Sequence, residues 1–212
     1  MKVCEIFTSI QGESTCAGLP CTFIRLSGCN LRCTYCDTKY AYEDGVEMLV
    51  EEIVGRVKSA GINLVEITGG EPLLQEKETD NLIRSLIDHG NDVLIETNGS
   101  FSIKGIDKRA TVILDVKTPC SGMSDKMDLR NFDYIKKSDE IKFVLCDRND
   151  YEWSKDIIAS HRLAGKSEVL LSPAFGVLEP RRLTEWILED RLDVRLNLQL
   201  HKYIFGPDAR GV

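Results

Sequence analysis

Three cysteines fall within one short stretch, Cys29-Asn30-Leu31-Arg32-Cys33-Thr34-Tyr35-Cys36, giving the spacing C-x3-C-x2-C in a region that reads as a loop. In a chain without a secretory signal, cysteines so close together point to metal binding rather than to disulfides. A structural zinc site takes four nitrogen or sulfur ligands. After Cys36 the next cysteine is Cys120, and no histidine comes before His89, so a zinc site would have to be completed from a distant strand. A four-iron cluster held by three cysteines fits the spacing better and leaves one iron open to a substrate or cofactor. The other five cysteines, Cys4, Cys16, Cys21, Cys120 and Cys146, mostly sit beside apolar residues, which predicts core packing for each and no chemistry.

Other segments carry weaker signals of the same kind. The apolar run Leu64 to Thr68 leads straight into Gly69-Gly70-Glu71-Pro72, where two glycines at a strand end let the backbone approach a ligand closely. Near the N-terminus, Glu5-Ile6-Phe7-Thr8-Ser9-Ile10-Gln11-Gly12-Glu13 is too polar after Phe7 to be only a core strand. Gly12 permits a sharp loop there, and Gln11 and Glu13 offer the donors and acceptors that a flat, amide-rich heterocycle requires. Arg25, just before the cysteines, suits a bidentate grip on a carboxylate, or else a surface salt bridge. His201 is one of three histidines. A lone histidine is more often structural than catalytic, but this one follows a run, Val194 to Leu198, that reads as the last strand.

These residues need a scaffold, and 212 residues suffice for one sizeable core spanning 1–212 as a single domain. With 42% hydrophobic and 29% charged residues the chain is globular, and no run approaches the ~18 apolar residues of a membrane span. Lys and Arg number 27 against 34 Asp and Glu, so a net charge of -7 disfavours nucleic acid. The start, Met-Lys-Val-Cys-Glu-Ile, carries no secretory pattern, which predicts a cytoplasmic protein. Strands are predicted at Thr22–Leu26, Leu64–Thr68, Val93–Glu96, Val112–Val116, Ile141–Leu145, Val169–Leu171 and Val194–Leu198, with a weaker one at Val3–Phe7. Several are continuously apolar, as parallel strands buried on both faces are.

Helices alternate with these strands. Leu49, Ile53 and Val57 precede a stop at Gly61, and Leu82, Ile83, Leu86 and Ile87 precede Gly90. Asn149 and Glu152 read as a capping box, and Pro180 as the first turn of a further helix. A complete eight-unit β/α barrel takes ~250 residues, so an α/β fold of incomplete, open (β/α) barrel type is expected. In such folds the loops at the carboxyl ends of the strands carry the chemistry.

C-x3-C-x2-C at one strand end and G-G-E-P at the next resemble the radical S-adenosylmethionine superfamily. The resemblance implies a [4Fe-4S] cluster whose open iron binds S-adenosylmethionine and whose electron cleaves it to a 5′-deoxyadenosyl radical. S-I-Q-G-E, Asp37-Thr38 after the cysteines, T-G-G-E-P and Q-L-H-K resemble, within it, the 7-carboxy-7-deazaguanine synthases. That implies a lyase rearranging 6-carboxy-5,6,7,8-tetrahydropterin to 7-carboxy-7-deazaguanine in 7-deazapurine (queuosine or archaeosine) biosynthesis.

By the same resemblance, Ile10, Gln11, Gly12, Arg25, Thr68, His201 and Pro207 contact substrate, while Cys29, Cys33 and Cys36 hold the cluster. Thr38 ligates Mg2+. Tyr35, Cys36, Asp37, Gly70, Asp115-Val116-Lys117 and Ser172-Pro173-Ala174-Phe175 line the S-adenosylmethionine site. A flavodoxin or ferredoxin as reductant, and a homodimer, are implied too. Family members often carry Ser-Pro-Lys in place of Asp115-Val116-Lys117, and some end at a proline, whereas here Asp208 to Val212 follow Pro207. That tail either folds over the site or removes the terminal contact. The rival readings are a glycyl-radical-enzyme activase, which needs no Q-G-E loop, and a non-catalytic iron-sulfur or zinc protein.

Overall fold

The computed structural model describes all residues 1–212. Its strands are β1 (Lys2–Ile10), β2 (Pro20–Leu26), β3 (Val46–Glu47), β4 (Leu64–Gly69), β5 (Asp92–Thr97), β6 (Thr111–Val116), β7 (Glu140–Leu145), β8 (Glu168–Pro173) and β9 (Arg195–Leu196). They form one nine-stranded sheet in the order β3-β1-β2-β4-β5-β6-β7-β8-β9. All neighbours from β2 to β9 are parallel, whereas β1 runs antiparallel to both β2 and β3. β3 and β9 are free edges, so the sheet does not close, and the fold is the incomplete, open (β/α) barrel expected.

Parallel neighbours need crossovers. Helices α1 (Val50–Ala60), α2 (Glu76–Asp88), α3 (Arg148–Ser160) and α4 (Pro180–Asp190) supply four of them, and a short α5 (Leu200–Phe205) follows β9. Gly61 ends α1 in the left-handed conformation, and Pro180 opens α4. One apolar core joins these helices to one face of the sheet, taking Ile24 and Leu26 from β2, Val65 and Ile67 from β4, Leu114 and Val116 from β6, and Ile141, Phe143 and Leu145 from β7. The alternate residues Arg25, Glu66, Thr68, Asp115 and Lys142 of the same strands, and Glu96 of β5, face a cavity instead. A period of two thus divides each strand between a dry side and a polar side.

Several local readings differ from the structure. β1 is the longest strand, because its polar second half still pairs with β2 through Thr8↔Thr22, Ser9↔Cys21 and Ile10↔Pro20. The last strand shrinks to Arg195–Leu196. Asn197 there spends its amide on the Ser172 hydroxyl (2.8 Å), and the chain crosses over so that the Leu200 amide reaches the Gly12 carbonyl (2.8 Å). His201 and Lys202 therefore lie on α5, not at a strand end. Asp147, not Asn149, caps α3, its carboxylate accepting from the Asp150 amide (2.9 Å) where the chain leaves β7. Cys21 and Cys146 are buried, but Cys120 is exposed, because it sits on the 3-10 turn Pro119–Ser121 beyond β6.

One side chain ties this frame to the cysteine loop. Gln75 accepts from the Lys2 amide (2.7 Å) and donates to the carbonyls of Lys2 (3.0 Å) and Ser27 (3.2 Å), so it joins β1, the end of β2 and the turn after Gly69-Gly70-Glu71-Pro72. Gln75→Leu strands these part-buried backbone groups and is expected to cost about 1–3 kcal/mol, read as a lower chemical-denaturation midpoint. An unchanged midpoint would show that water replaces the clamp freely.

Candidate active site

The loops at the carboxyl ends of the parallel strands surround a cavity of about 500 Å³. That is within the ordinary range of ligand pockets. Cys29, Cys33 and Cys36 line it from the loop after β2. All three thiols line this one cavity, and a donor set of three sulfurs suits an iron-sulfur cluster. Burial raises the thiols of Cys29 and Cys33, with Lys117 pulling the other way at both. The Cys29 sulfur accepts from the Leu31 amide (3.5 Å) and from the Asn98 side chain (3.9 Å).

Glycine is required beside this loop for a reason other than ligand access. A Cβ on Gly70 would meet the Gly28 carbonyl and come within 2.9 Å of the Cys29 Cβ. The Glu71 amide donates to Gly28 (2.7 Å), so the loop after β4 lies backbone to backbone on the cysteine loop. The Glu71 carboxylate, fully buried, accepts from Leu73, Thr97 and Asn98 (2.7–2.9 Å) and thereby fixes the end of β5 as well.

Two buried oxygens in the cavity region, the Tyr35 hydroxyl and Asp115 Oδ1, have no partner. Buried polar atoms are rarely left so. Both stand on the side of the site assigned by resemblance to S-adenosylmethionine, and their unmet capacity fits a polar ligand there. Asp37, Thr38, Gly70, Lys117, Ala174 and Phe175 line the same cavity. Val116, Ser172 and Pro173 do not: Val116 points into the apolar core, and Ser172 is held by Asn197. Asp37 pairs with Lys202 (2.5 Å), whose ammonium outweighs the effect of burial and keeps the carboxyl well below its usual range. The Thr38 hydroxyl donates to Asp37 (2.9 Å) and keeps its oxygen lone pairs free for a cation.

Ile10, Gln11, Gly12, Arg25, Thr68, His201 and Pro207 line the same cavity. Arg25 uses only its Nε on Glu5 (2.8 Å), and Glu5 also accepts from Tyr40 (2.8 Å), so both terminal amino groups of the guanidinium lack a protein partner. The salt bridge is real, then, but it orients the fork rather than consuming it. Gln11 accepts from the Glu13 amide (2.8 Å) and donates to Glu66. A Cβ on Gly12 would strike His201 Nδ1 and lie 2.9 Å from its backbone nitrogen, so α5 can seat only over a glycine. Burial pushes the His201 imidazole below its usual range, favouring the neutral ring. Pro207, Asp208 and Val212 also line the cavity, and Arg210 stacks on Tyr40 at 3.9 Å. The tail folds over the site.

A charged cluster missed by motif reading also lines the cavity. Lys142, 5% exposed, contacts Glu13 (3.0 Å), Glu96 and Asp115 (3.8 Å). Despite burial, those carboxylates hold its ammonium charged. Glu66 is pushed far above the carboxylate range, by burial first and then by Glu96, which favours the neutral acid. The signal was present as Glu66, Glu96 and Lys142, each a charged residue inside an apolar strand. Such residues are almost never fully buried unless paired.

Comparisons with known proteins agree with this geometry. Residues 23–119 match the model of the Radical SAM superfamily. The 7-carboxy-7-deazaguanine synthase of Chlorobaculum tepidum is 47% identical over all of this chain and 97% of its own length. That of Koribacter versatilis is 44% identical over the whole of both chains. The crystal structure of QueE from Escherichia coli shares the fold at a TM-score of 0.78, covering 94% of each chain at 23% identity. The cysteine loop, the Gly-Gly-Glu-Pro turn packed against it and the full-length likeness converge: the chain belongs to the 7-carboxy-7-deazaguanine synthase family of radical S-adenosylmethionine enzymes, which use a [4Fe-4S] cluster and S-adenosylmethionine.

Proposed function

We propose that this chain is a carbon-nitrogen lyase that converts 6-carboxy-5,6,7,8-tetrahydropterin to 7-carboxy-7-deazaguanine, with ring contraction and loss of ammonia. The observation that carries this reading is one cavity lined by three thiols together with a guanidinium fork, a buried amide and a neutral imidazole. A glycyl-radical-enzyme activase acts on a protein backbone and has no use for a site covered by its own tail. The continuous sheet and shared core support treating 1–212 as one domain.

Cys29, Cys33 and Cys36 hold the cluster, and Tyr35, Asp37, Gly70, Asp115, Lys117, Ala174 and Phe175 hold S-adenosylmethionine. Bound together, cluster and cofactor supply one-electron radical chemistry. The residues of the chain do the rest. Arg25 receives the substrate carboxylate on its free fork, preset by Glu5. Gln11, with the neutral Glu66 behind it, and His201 face the amide-rich ring and hydrogen-bond its edge. Thr38 would offer one oxygen to Mg2+, a hard cation that favours oxygen ligands. α5 and the tail over the cavity exclude water that would quench a reactive species.

No helix is long and apolar enough to cross a membrane. The rest of the setting follows the family resemblance: a cytoplasmic homodimer, reduced by a flavodoxin or ferredoxin, whose product feeds a 7-deazapurine such as queuosine or archaeosine.

Cys29→Ala, Cys33→Ala and Cys36→Ala should each abolish the brown chromophore and turnover, while Cys21→Ala keeps both; a stable cluster in any of the first three overturns the ligand assignment. A charge-assisted hydrogen bond contributes about 1.5–3 kcal/mol, so Arg25→Ala should weaken pterin binding roughly 10- to 150-fold with cluster content unchanged. Product formation with unaltered apparent affinity would remove Arg25 from the substrate site. Gly12→Ala displaces His201, so product formation should fall at least about tenfold, while cleavage of S-adenosylmethionine without substrate persists. Equal loss of both activities would mean that α5 serves the cofactor instead.

A further inference from the structure

Outside the cavity, one side-chain cluster has no role in the chemistry above. The sulfurs of Cys120 and Cys146 and a carboxylate oxygen of Asp150 all lie within 4.8 Å of one another. Asp150 is 1% exposed, and its two oxygens are already engaged: Oδ1 accepts from the Cys120 amide and Oδ2 from the Cys146 amide, both at 2.9 Å. The carboxylate therefore anchors both cysteine backbones and holds their side chains face to face. With its oxygens so used, the cluster offers two free ligands, short of the four of a structural zinc site. Cys120 is exposed and Cys146 buried, so only one sulfur is open to a reagent from solution.

We propose that Cys120 and Cys146 form a redox-active dithiol that a small-molecule disulfide oxidises to an intramolecular disulfide. The exposed Cys120 thiolate attacks the reagent, forming a mixed disulfide and expelling one thiolate. The Cys146 thiolate then attacks the Cys120 sulfur, closes the protein disulfide and expels the second. Two protons and two electrons pass from the cysteines to the reagent, which leaves as two thiols. The pair also bears on the cluster loop: the Cys120 carbonyl accepts from the Thr34 hydroxyl (2.7 Å) and the Ser121 carbonyl from the Thr34 amide (3.1 Å), between Cys33 and Cys36. Oxidation locks this buttress to the start of α3.

The test incubates the anaerobically purified, cluster-loaded protein with oxidised glutathione, denatures it in an alkylating agent and maps unreduced peptides. Wild type should lose both alkylation sites together and yield one Cys120–Cys146 cross-linked peptide pair, with both sites restored by dithiothreitol. Cys146→Ser should stop at a glutathione adduct on Cys120, and Cys120→Ser should leave Cys146 fully alkylated. The wild-type result stands without the variants, should either fold poorly. The proposal is overturned if wild type accumulates the Cys120 adduct beside a free Cys146. It is equally overturned if both thiols stay free under conditions that oxidise dithiothreitol, or if added Zn2+ is retained by the pair and no cross-link forms.

Discussion

The Lys142 ammonium, enclosed by Glu13, Glu96 and Asp115, is the interaction on which the interior of this barrel depends. A lone charge there would cost several kcal/mol. The four residues come from β5, β6, β7 and the loop after β1, so satisfying one ion fixes the spacing of three strands and pins the N-terminal loop over them. Lys142, with Lys117 on Asp115, offsets part of the carboxylates' negative charge, and the same cavity presents Gln11, Arg25 and Thr68 to a ligand. The opposite face needs no such device, since it packs aliphatic residues on helices.

Backbone proximity sets the second constraint. Where the loops after β2 and β4 meet, Gly70 rests on Gly28 and Cys29 with no room for a side chain. That contact, and the three donors converging on Glu71, couple the cysteine loop to the ends of β4 and β5. At the far side Gly12 plays a comparable part under α5, and the Lys202 to Asp37 pair draws that helix back to the cysteine loop. The cysteine loop, the ends of β4 and β5 and α5 are thus joined into one frame around the cavity. Rigid support of this kind is what lets a site direct a reactive species to a single bond.

Much of this was determined by the sequence alone. C-x3-C-x2-C is local in the chain, so a three-cysteine cluster was legible from residue type and spacing and the open α/β barrel from length and alternation, while the cofactor was implied by the resemblance that this motif and Gly-Gly-Glu-Pro carry together. Gly61 and Pro180 mark helix ends for reasons of backbone conformation that operate within a few residues. Tertiary structure decided what depends on distant partners. Val194 to Leu198 has the alternation of a strand, yet the Asn197 side chain turns to Ser172 and the Leu200 amide donates to the Gly12 carbonyl, so pairing ends early and His201 lies on a helix. Val116 and Asp115 are adjacent in sequence, but the pleat sends one to the core and the other to the cavity. Glu66 and Glu96 are both glutamates in apolar strands, and only full burial, with Glu96 brought alongside, raises the Glu66 carboxyl. Charge state, strand face and the approach of distant loops are properties of assembled neighbours, and a linear pattern does not contain them.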